Sequence, residues 1–134
     1  MNKEQIDLLG EYITKGKVAI LMEEIPENIV KKGAVVIKSD CTNAELMGCL
    51  ENGEYKIPEW YKKLIESSKL HTPVLIIKDI DKIPEKEQRK FIELLKYKKV
   101  YVNKLPENCK IFVTYSDLHE NSIDEELYSF MAHI

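Results

Sequence analysis

The sequence predicts an α/β fold in which helices cover both faces of a parallel β-sheet. Strand-like apolar runs alternate with amphipathic segments, and the central run, residues 73–78, is apolar on both faces. A strand without a polar face is typical of parallel sheets, which are covered on both sides. Asp79 and Asp81 directly follow this run. They are therefore expected at the carboxyl end of a strand, where open α/β sheets hold ligands.

Length and composition indicate one soluble globular domain. The chain has 134 residues, of which 44% are hydrophobic and 32% are charged, and its formal net charge is −3. This charge, and the mixing of lysine with glutamate, argue against nucleic-acid binding. No apolar run approaches the roughly 20 residues of a membrane helix, and the N-terminus lacks a signal-peptide pattern. We expect a cytoplasmic protein that binds neither nucleic acid nor a membrane.

The cysteines and histidines predict no metal site. Cys41, Cys49 and Cys109 form no CxxC pair and are interpreted as reduced thiols of a cytoplasmic protein. None of the three histidines has a second ligand at helical or turn spacing. The sequence therefore gives no reason to expect a bound metal.

Four strands are predicted from apolar, β-branched runs. They lie at residues 17–22, 34–38, 73–78 and 110–115. Between residues 100 and 106 the pattern indicates a small hairpin or an extended arm. Because helical segments separate the strands, βαβ units and a parallel sheet are expected.

The helices are predicted from segments with one apolar face. They lie at residues 3–15, 44–50, 58–67, 85–97 and 123–131, with a further short helix that ends near Gly33. Thr42 and Ser122 are the expected N-caps, and Asn52-Gly53 marks a turn. Trp60 is interpreted as a core residue of the helix at residues 58–67, rather than as part of a binding cleft.

Several segments follow one another in a distinctive order: Val74-Leu-Ile-Ile-Lys-Asp-Ile-Asp-Lys82, Phe91-Ile-Glu-Leu-Leu95, Leu105-Pro-Glu-Asn108 and Lys110-Ile-Phe-Val-Thr-Tyr-Ser116. Together they resemble the middle of an AAA+ ATPase module, from the Walker B strand to the sensor strand, and are most similar to the MoxR-like branch. Glu45-Leu-Met-Gly48, Pro58-Glu-Trp60 and the tail from residue 123 also resemble that branch. The resemblance covers residues 17–134. It implies a three-layer parallel sheet, a minimal P-loop NTPase core, as a single domain without the family's helical lid.

The phosphate-binding loop of that family has no counterpart here. A P-loop needs a glycine-rich turn directly after the first strand, followed by Lys and Ser or Thr. After Met22 the chain continues Glu-Glu-Ile-Pro-Glu-Asn, and carboxylates such as Glu23 and Glu24 would repel phosphate. The segment from Gly10 to Lys17 has the wrong spacing and precedes the strand, so we reject it as a P-loop.

The other catalytic positions are also altered. The alignment places Lys78 at the magnesium-binding aspartate of Walker B and Asp79 at its glutamate. Ser116 stands at the sensor, which is usually an asparagine, and Ser129 is followed by Phe130 without the intervening finger arginine. No lid with a second sensor follows before residue 134. The resemblance implies a degenerate nucleotide crevice with no catalytic residue, cofactor or metal; its positions are Glu23, Glu24, Lys78, Asp79 and Ser116.

Two interpretations of Lys78 remain open. It is either a surface lysine at a strand end, ion-paired with Asp40, Asp79 or Asp117, or a lysine that replaces the metal's charge and holds the crevice together through such a pair. Asp79 and Asp81 are expected to cap the helix that follows them.

We therefore expect a catalytically inactive AAA+-like domain, not an enzyme, that serves as a protein-interaction or regulatory module. Its partner would be a second copy, a full AAA+ ATPase or the cofactor protein of one, with pairing at a last strand near residues 132–134. One alternative is a nucleotide-binding module without hydrolysis. The other is a degenerate receiver-like domain, in which Glu23-Glu24, Asp79 or Asp81, and Thr114 or Ser116 form an acidic pocket.

Overall fold

Five parallel strands form the central sheet of the protein. Its structure is a computed structural model that describes residues 18–30, 33–116 and 121–134. The strands are β1 (Ala19–Met22), β2 (Val35–Lys38), β5 (Val74–Lys78), β8 (Lys110–Thr114) and β9 (Met131–His133). The numbers β3, β4, β6 and β7 belong to two hairpins described below. Their order across the sheet is β2-β5-β8-β1-β9. The four predicted strands are confirmed, and β9 is the short last strand expected beside β1.

The strand residues alternate between two apolar clusters, one on each face of the sheet. The first cluster includes Leu21, Leu75, Ile77 and Val113, together with helical residues such as Leu64, Leu94 and Leu127. The second includes Ile20, Met22, Val74, Ile76 and Phe112, with Ile25 and Ile29 packed against them. Full burial of one such side chain stabilises the fold by about 1.5–3 kcal/mol. Because β5 contributes to both clusters, the prediction of a strand covered on both sides is confirmed.

Six α-helices lie in the described residues: α1 (Glu27–Val30), α2 (Asn43–Met47), α3 (Glu59–Ser68), α4 (Glu85–Gln88), α5 (Ile92–Tyr97) and α6 (Glu125–Ser129). The single helix predicted at residues 85–97 is interrupted by a 3-10 turn, Arg89–Phe91. Its apolar face is nevertheless buried, through Phe91, Leu94 and Leu95. The helix predicted at residues 3–15 falls outside the described residues. None of the described helices is long and apolar enough to cross a membrane.

The helix caps agree with the prediction in one of two cases. Thr42 caps α2 in a capping box, in which its side chain accepts from Glu45 N and the Glu45 side chain accepts from Thr42 N. The predicted cap at Ser122 is wrong. Asp124 caps α6 by accepting from Leu127 N, because it directly precedes the first helical residue, whereas the Ser122 carbonyl accepts from the buried Gln88 side chain.

Two hairpins extend from the α/β core. The first joins β3 (Cys49–Glu51) to β4 (Glu54–Lys56) through Asn52 and Gly53, both with positive φ, as tight hairpin turns require. The second joins β6 (Lys99–Val100) to β7 (Asn103–Lys104). The second hairpin and the Asn52-Gly53 turn are confirmed predictions, whereas the strands that flank that turn were not predicted.

The strand order differs from that of a receiver-like sheet. Numbered along the chain from one to five, the strands lie in the order 2-3-4-1-5. A receiver-like, flavodoxin-type sheet has the order 2-1-3-4-5, with the first strand beside the second. Here β1 lies between β8 and β9, and β2 lies at an edge beside β5. This order counts against the receiver-like alternative.

Candidate functional site

The carboxyl ends of four strands meet at one edge of the sheet, where the degenerate crevice was predicted. Lys38 of β2 lies in register with Lys78 of β5. Met22 of β1 lies in register with Thr114 of β8. Because the strands are parallel and end at the same level, the chain turns that follow them all lie at this edge, and two of these turns are held by hydrogen bonds between strands.

The first of these turns is built on Asp79, whose backbone is left-handed with φ 57° and ψ 59°. That conformation is uncommon outside glycine, although aspartate tolerates it better than most residues. The Asp79 N–H donates to Thr114 Oγ1 at 2.9 Å, and the Asp79 carbonyl accepts from Ser39 Oγ at 2.6 Å. Its carboxylate makes no capping hydrogen bond to the 3-10 turn Ile80–Lys82 that follows. The predicted capping role of Asp79 is therefore wrong.

Asp81 is the buried carboxylate of this edge, with 1% of its surface exposed. Its Oδ1 accepts from Ser116 N at 2.9 Å and its Oδ2 accepts from Ser116 Oγ at 3.2 Å. Its carbonyl also accepts from Asn121 Nδ2 at 3.0 Å. The predicted capping role is wrong here too, because the carboxylate joins the turn after β5 to the chain after β8. Ser116, at the sensor position, has both its N–H and its hydroxyl engaged within the protein.

Lys78, which the sequence resemblance aligns with the metal ligand of Walker B, is exposed and lies on the same side of β5 as Val74 and Ile76. Among the residues that the structure describes, no acidic group forms an ion pair with it. The predicted pairing with Asp40 is wrong, since Asp40 pairs with Lys82 at 3.3 Å. Asp117 lies outside the described residues. Lys38 is instead the neighbour in register, so the two cations stand side by side.

The chain after β1 is acidic at the place where a P-loop would hold phosphate. Glu23 and Glu24 are exposed. The helix that follows, α1, is a single turn of four residues with Glu27 in its first turn. A phosphate placed here would meet the exposed carboxylates of Glu23 and Glu24.

Arg89, the only arginine in the chain, forms an internal ion-pair network that the sequence analysis missed. Its Nη1 lies 3.1 Å from Asp124 Oδ1, and its Nη2 lies 2.6 Å from Glu126 Oε2. The hydrogen bonds that Arg89 donates to Glu126 and then to Asp124 raise the pKa of its guanidinium. The network ties the 3-10 turn after α4 to α6, so the one arginine has a structural role within this chain. The sequence feature that could have drawn attention to Arg89 is that it is the one arginine of the chain.

Metal-ligating and nucleophilic groups do not converge at this edge. Across residues 18–30, 33–116 and 121–134, no three His, Cys, Asp or Glu side chains are placed to hold a metal ion. The three cysteines are free thiols. Burial raises the pKa of Cys109 to about 12, and it also raises the pKa of Cys41. These two thiols are therefore poor nucleophiles at neutral pH.

A cavity of about 850 Å³ lies along β2, between that edge strand and the starts of α2 and α3. Trp60 lines it, but only 7% of that side chain is exposed, and its Nε1 donates to Leu46 O at 2.9 Å. Trp60 is thus a core residue, as predicted, and serves as a wall rather than as a free binding platform.

The five-stranded parallel sheet and its two covered faces define the class of the fold: a small α/β domain with a P-loop-like core. Two solved structures of NtrX from Brucella abortus are similar to it, with TM-scores of 0.55 and 0.54, and the second of them is a complex with ADP. Both are 14% identical, and each comparison covers 100% of this chain and 36% of the NtrX chain. At that identity the likeness shows the fold alone. No protein-family profile matches the sequence, and no curated protein matches it either.

Proposed function

We propose that this chain is a catalytically inactive AAA+-like domain that acts as a protein-interaction or regulatory module. The observation that carries the proposal is the carboxyl edge of the sheet, where Lys78 occupies the position of the metal ligand and has Lys38 beside it. The MoxR-like assignment, which rests on sequence resemblance, is part of the same proposal.

The electrostatics of this edge disfavour Mg²⁺. Two unit charges 4 Å apart interact by about 4 kcal/mol at an effective dielectric constant of 20. A divalent ion would meet two lysines where it needs an anionic oxygen. The nearest buried carboxylate, Asp81, already accepts two hydrogen bonds from Ser116. A metal at Asp81 would therefore compete with the link between the turn after β5 and the chain after β8.

The second candidate is a nucleotide-binding module without hydrolysis. The ADP in one of the NtrX structures favours it, whereas the exposed Glu23 and Glu24 and the single-turn α1 argue against it. A thermal-shift titration of the pure chain with ATP, ADP and GTP, with and without Mg²⁺, separates the two candidates. A ligand at about 100 times its dissociation constant stabilises a protein by about 2.7 kcal/mol, which moves the midpoint by several degrees. We expect no shift with any nucleotide.

The proposed partner is a protein in the cytoplasm: a second copy of the chain, a full AAA+ ATPase or the cofactor protein of such an ATPase. β9 forms one edge of the sheet beside β1 and is three residues long. Pairing with another strand at that edge remains our prediction. Cross-linking and co-purification of the tagged chain from its native host test the proposal. Recovery of the same stoichiometric protein in repeated experiments is the expected result, and recovery of the chain alone as a monomer contradicts it.

A further inference from the structure

An exposed apolar surface lies where the two hairpins meet. Of the eleven large hydrophobic residues that are exposed in the described chain, four lie here: Met47, Leu50, Tyr101 and Val102. Leu50 is 77% exposed and Val102 is 65% exposed. With Cys49 and Tyr55 they line a shallow depression of about 480 Å³. We call these six residues the hairpin surface. Contiguous exposed apolar side chains of this kind mark interaction sites.

Tyr55 joins the two hairpins into one unit. Its hydroxyl donates to Met47 O at 2.5 Å and accepts from Asn103 Nδ2 at 2.8 Å. Its ring lies 5.7 Å from the ring of Tyr101. Tyr101 has a positive φ of 56°, and its N–H donates to Glu93 Oε1 at 2.9 Å. The exposed side chains therefore lie on a fixed backbone, so binding costs little backbone conformational entropy.

Each hairpin carries a pair of like charges in register, and the two pairs have opposite signs. Glu51 lies opposite Glu54 in the first hairpin, and Lys99 lies opposite Lys104 in the second. Like charges directly opposite each other destabilise a hairpin. Within the described residues, no ion pair joins the acidic hairpin to the basic one, although Glu54 lies 3.8 Å from Lys56 on its own hairpin.

We propose that the hairpin surface binds a second copy of this chain in a two-fold symmetric dimer. In an isologous contact the acidic hairpin of each copy lies against the basic hairpin of the other, so both like-charge pairs gain opposite charges. Leu50 and Val102 are then buried between the copies, inside a charged rim. A different partner would need an acidic and a basic patch at the same spacing. A second copy has both, because its sequence is identical. The proposal deepens the interaction role proposed above and rests on it.

The first test is sedimentation of the purified full chain over a wide range of concentration. We expect a monomer–dimer equilibrium, and we expect Leu50→Asp to weaken dimerisation by about tenfold or more, because it places a charge in the apolar centre. Leu70→Asp is the matched control, since Leu70 is 81% exposed and lies outside the hairpin surface. The control is expected to leave dimerisation unchanged. A strict monomer, or equal effects of the two variants, overturns the proposal.

A charge exchange tests the symmetry. One variant carries Glu51→Lys with Glu54→Lys, so that both hairpins are basic. The other carries Lys99→Glu with Lys104→Glu, so that both are acidic. Each variant alone is expected to be monomeric, and an equimolar mixture is expected to form a heterodimer. Each variant still has one pair of like charges in each hairpin, so the repulsion within a hairpin is the same as in the wild type. Circular dichroism checks that both variants fold. Variants that dimerise normally alone, or a mixture that stays monomeric, contradict the proposed geometry.

Cys49 gives a readout that separates failure of this surface from failure of the interaction role. It is exposed, whereas Cys41 and Cys109 are partly buried, so maleimide labelling of the folded chain reports mainly on Cys49. We expect its labelling rate to fall as the dimer forms. A dimer in which Cys49 reacts as fast as in the monomer overturns the hairpin surface but leaves the proposed interaction function standing. A monomer that co-purifies with another protein likewise overturns the proposed dimer but leaves the interaction function standing.

Discussion

The carboxyl edge of the sheet and the hairpin surface differ in which side chains they bury and which they expose. At the carboxyl edge, buried polar groups bond to one another: Asp81 holds Ser116, and the Asp79 backbone is held by Thr114 and Ser39. At the hairpin surface, apolar groups such as Leu50 and Val102 face outward. In the first region the buried polar groups bond within the protein, whereas the second region leaves apolar side chains exposed.

The difference supports our proposal that this domain interacts with other molecules through the hairpin surface. At the carboxyl edge, internal hydrogen bonds occupy the buried carboxylate of Asp81 and the N–H and hydroxyl of Ser116, which a ligand at the end of a parallel sheet could otherwise use. An interaction surface needs apolar side chains on a fixed backbone, and the hairpins supply them. Four tests break or sharpen this contrast, and they follow in order of expected effect.

Gly48→Ala tests whether the hairpin surface is fixed. Gly48 has φ 87° and ψ 178°, a region open essentially only to glycine, and an added Cβ would lie 2.5 Å from Lys56 O and 2.6 Å from Tyr55 Oη. Backbone strain and overlap together are expected to destabilise the fold by about 3 kcal/mol, measured by urea unfolding.

Gly53→Ala is the matched control for that change. Gly53 also has positive φ, 78°, but a Cβ there has nothing within 4 Å. Gly53→Ala is expected to destabilise the fold by only about 1 kcal/mol, because only backbone strain opposes it. Equal losses at the two glycines would mean that the close approach of Tyr55 to Gly48 does not constrain the hairpin.

Asp81→Asn and Asp79→Asn make the same chemical change two residues apart at the carboxyl edge. Asp81→Asn replaces one of two buried acceptor oxygens with a donor that faces Ser116, and we expect it to destabilise the fold by about 2 kcal/mol. Asp79→Asn removes a carboxylate without a capping hydrogen bond and keeps a residue that tolerates positive φ. It is expected to change stability by less than about 0.5 kcal/mol. Equal effects, measured as denaturant midpoints, would refute the assignment of Asp81 as the structural carboxylate.

Asp124→Asn tests the link between α4 and α6 through its pH dependence. The hydrogen bond from Leu127 N–H, and then the Arg89 guanidinium, lower the pKa of Asp124. A carboxylate with a lowered folded-state pKa stabilises the fold above its unfolded pKa and loses that contribution as the pH falls through the folded value. The stability gap between wild type and Asp124→Asn should therefore be widest near pH 7 and close as the pH falls below about 4. A gap that is independent of pH would contradict the assignment.

Lys78→Gln separates the two interpretations of Lys78. If this lysine held the crevice together through an ion pair, its removal would destabilise the fold. Because it lies beside Lys38 and pairs with no described acidic residue, we expect stability to change by less than about 0.5 kcal/mol, with any change being an increase. A clear loss of stability, with Lys62→Gln as a surface-lysine control, would favour the ion-pair interpretation.

Local patterns predicted the elements better than they predicted the contacts between them. The strands at residues 34–38 and 110–115 and the N-cap at Thr42 follow from neighbouring residues, and they are confirmed. Asp81 looked like a helix cap because it precedes Pro84. Its partner, Ser116, lies 35 residues away, and no local pattern contains that pairing. The strand order likewise depends on packing across the whole chain.

Short elements were the other source of error. The strands of the first hairpin have three residues each, too few for an alternating pattern to stand out, although their Asn52-Gly53 turn was recognised. The helix at residues 85–97 had the correct apolar face, but periodicity does not reveal that a 3-10 turn at Arg89–Phe91 divides it. Arg89 itself binds Asp124 and Glu126 across a gap of more than 30 residues, so its role depends on the folded chain.

The most direct test of the proposed loss of catalysis is Mg-ATP turnover by the pure chain. We expect no phosphate release above the buffer background, with or without Mg²⁺, because the resemblance aligns Lys78 with the metal ligand and because the exposed Glu23 and Glu24 follow β1. We also expect Asp79→Asn to give the same background rate. Turnover that requires Mg²⁺ and is abolished by Asp79→Asn would contradict the proposal and identify the carboxyl edge of the sheet as a working active site.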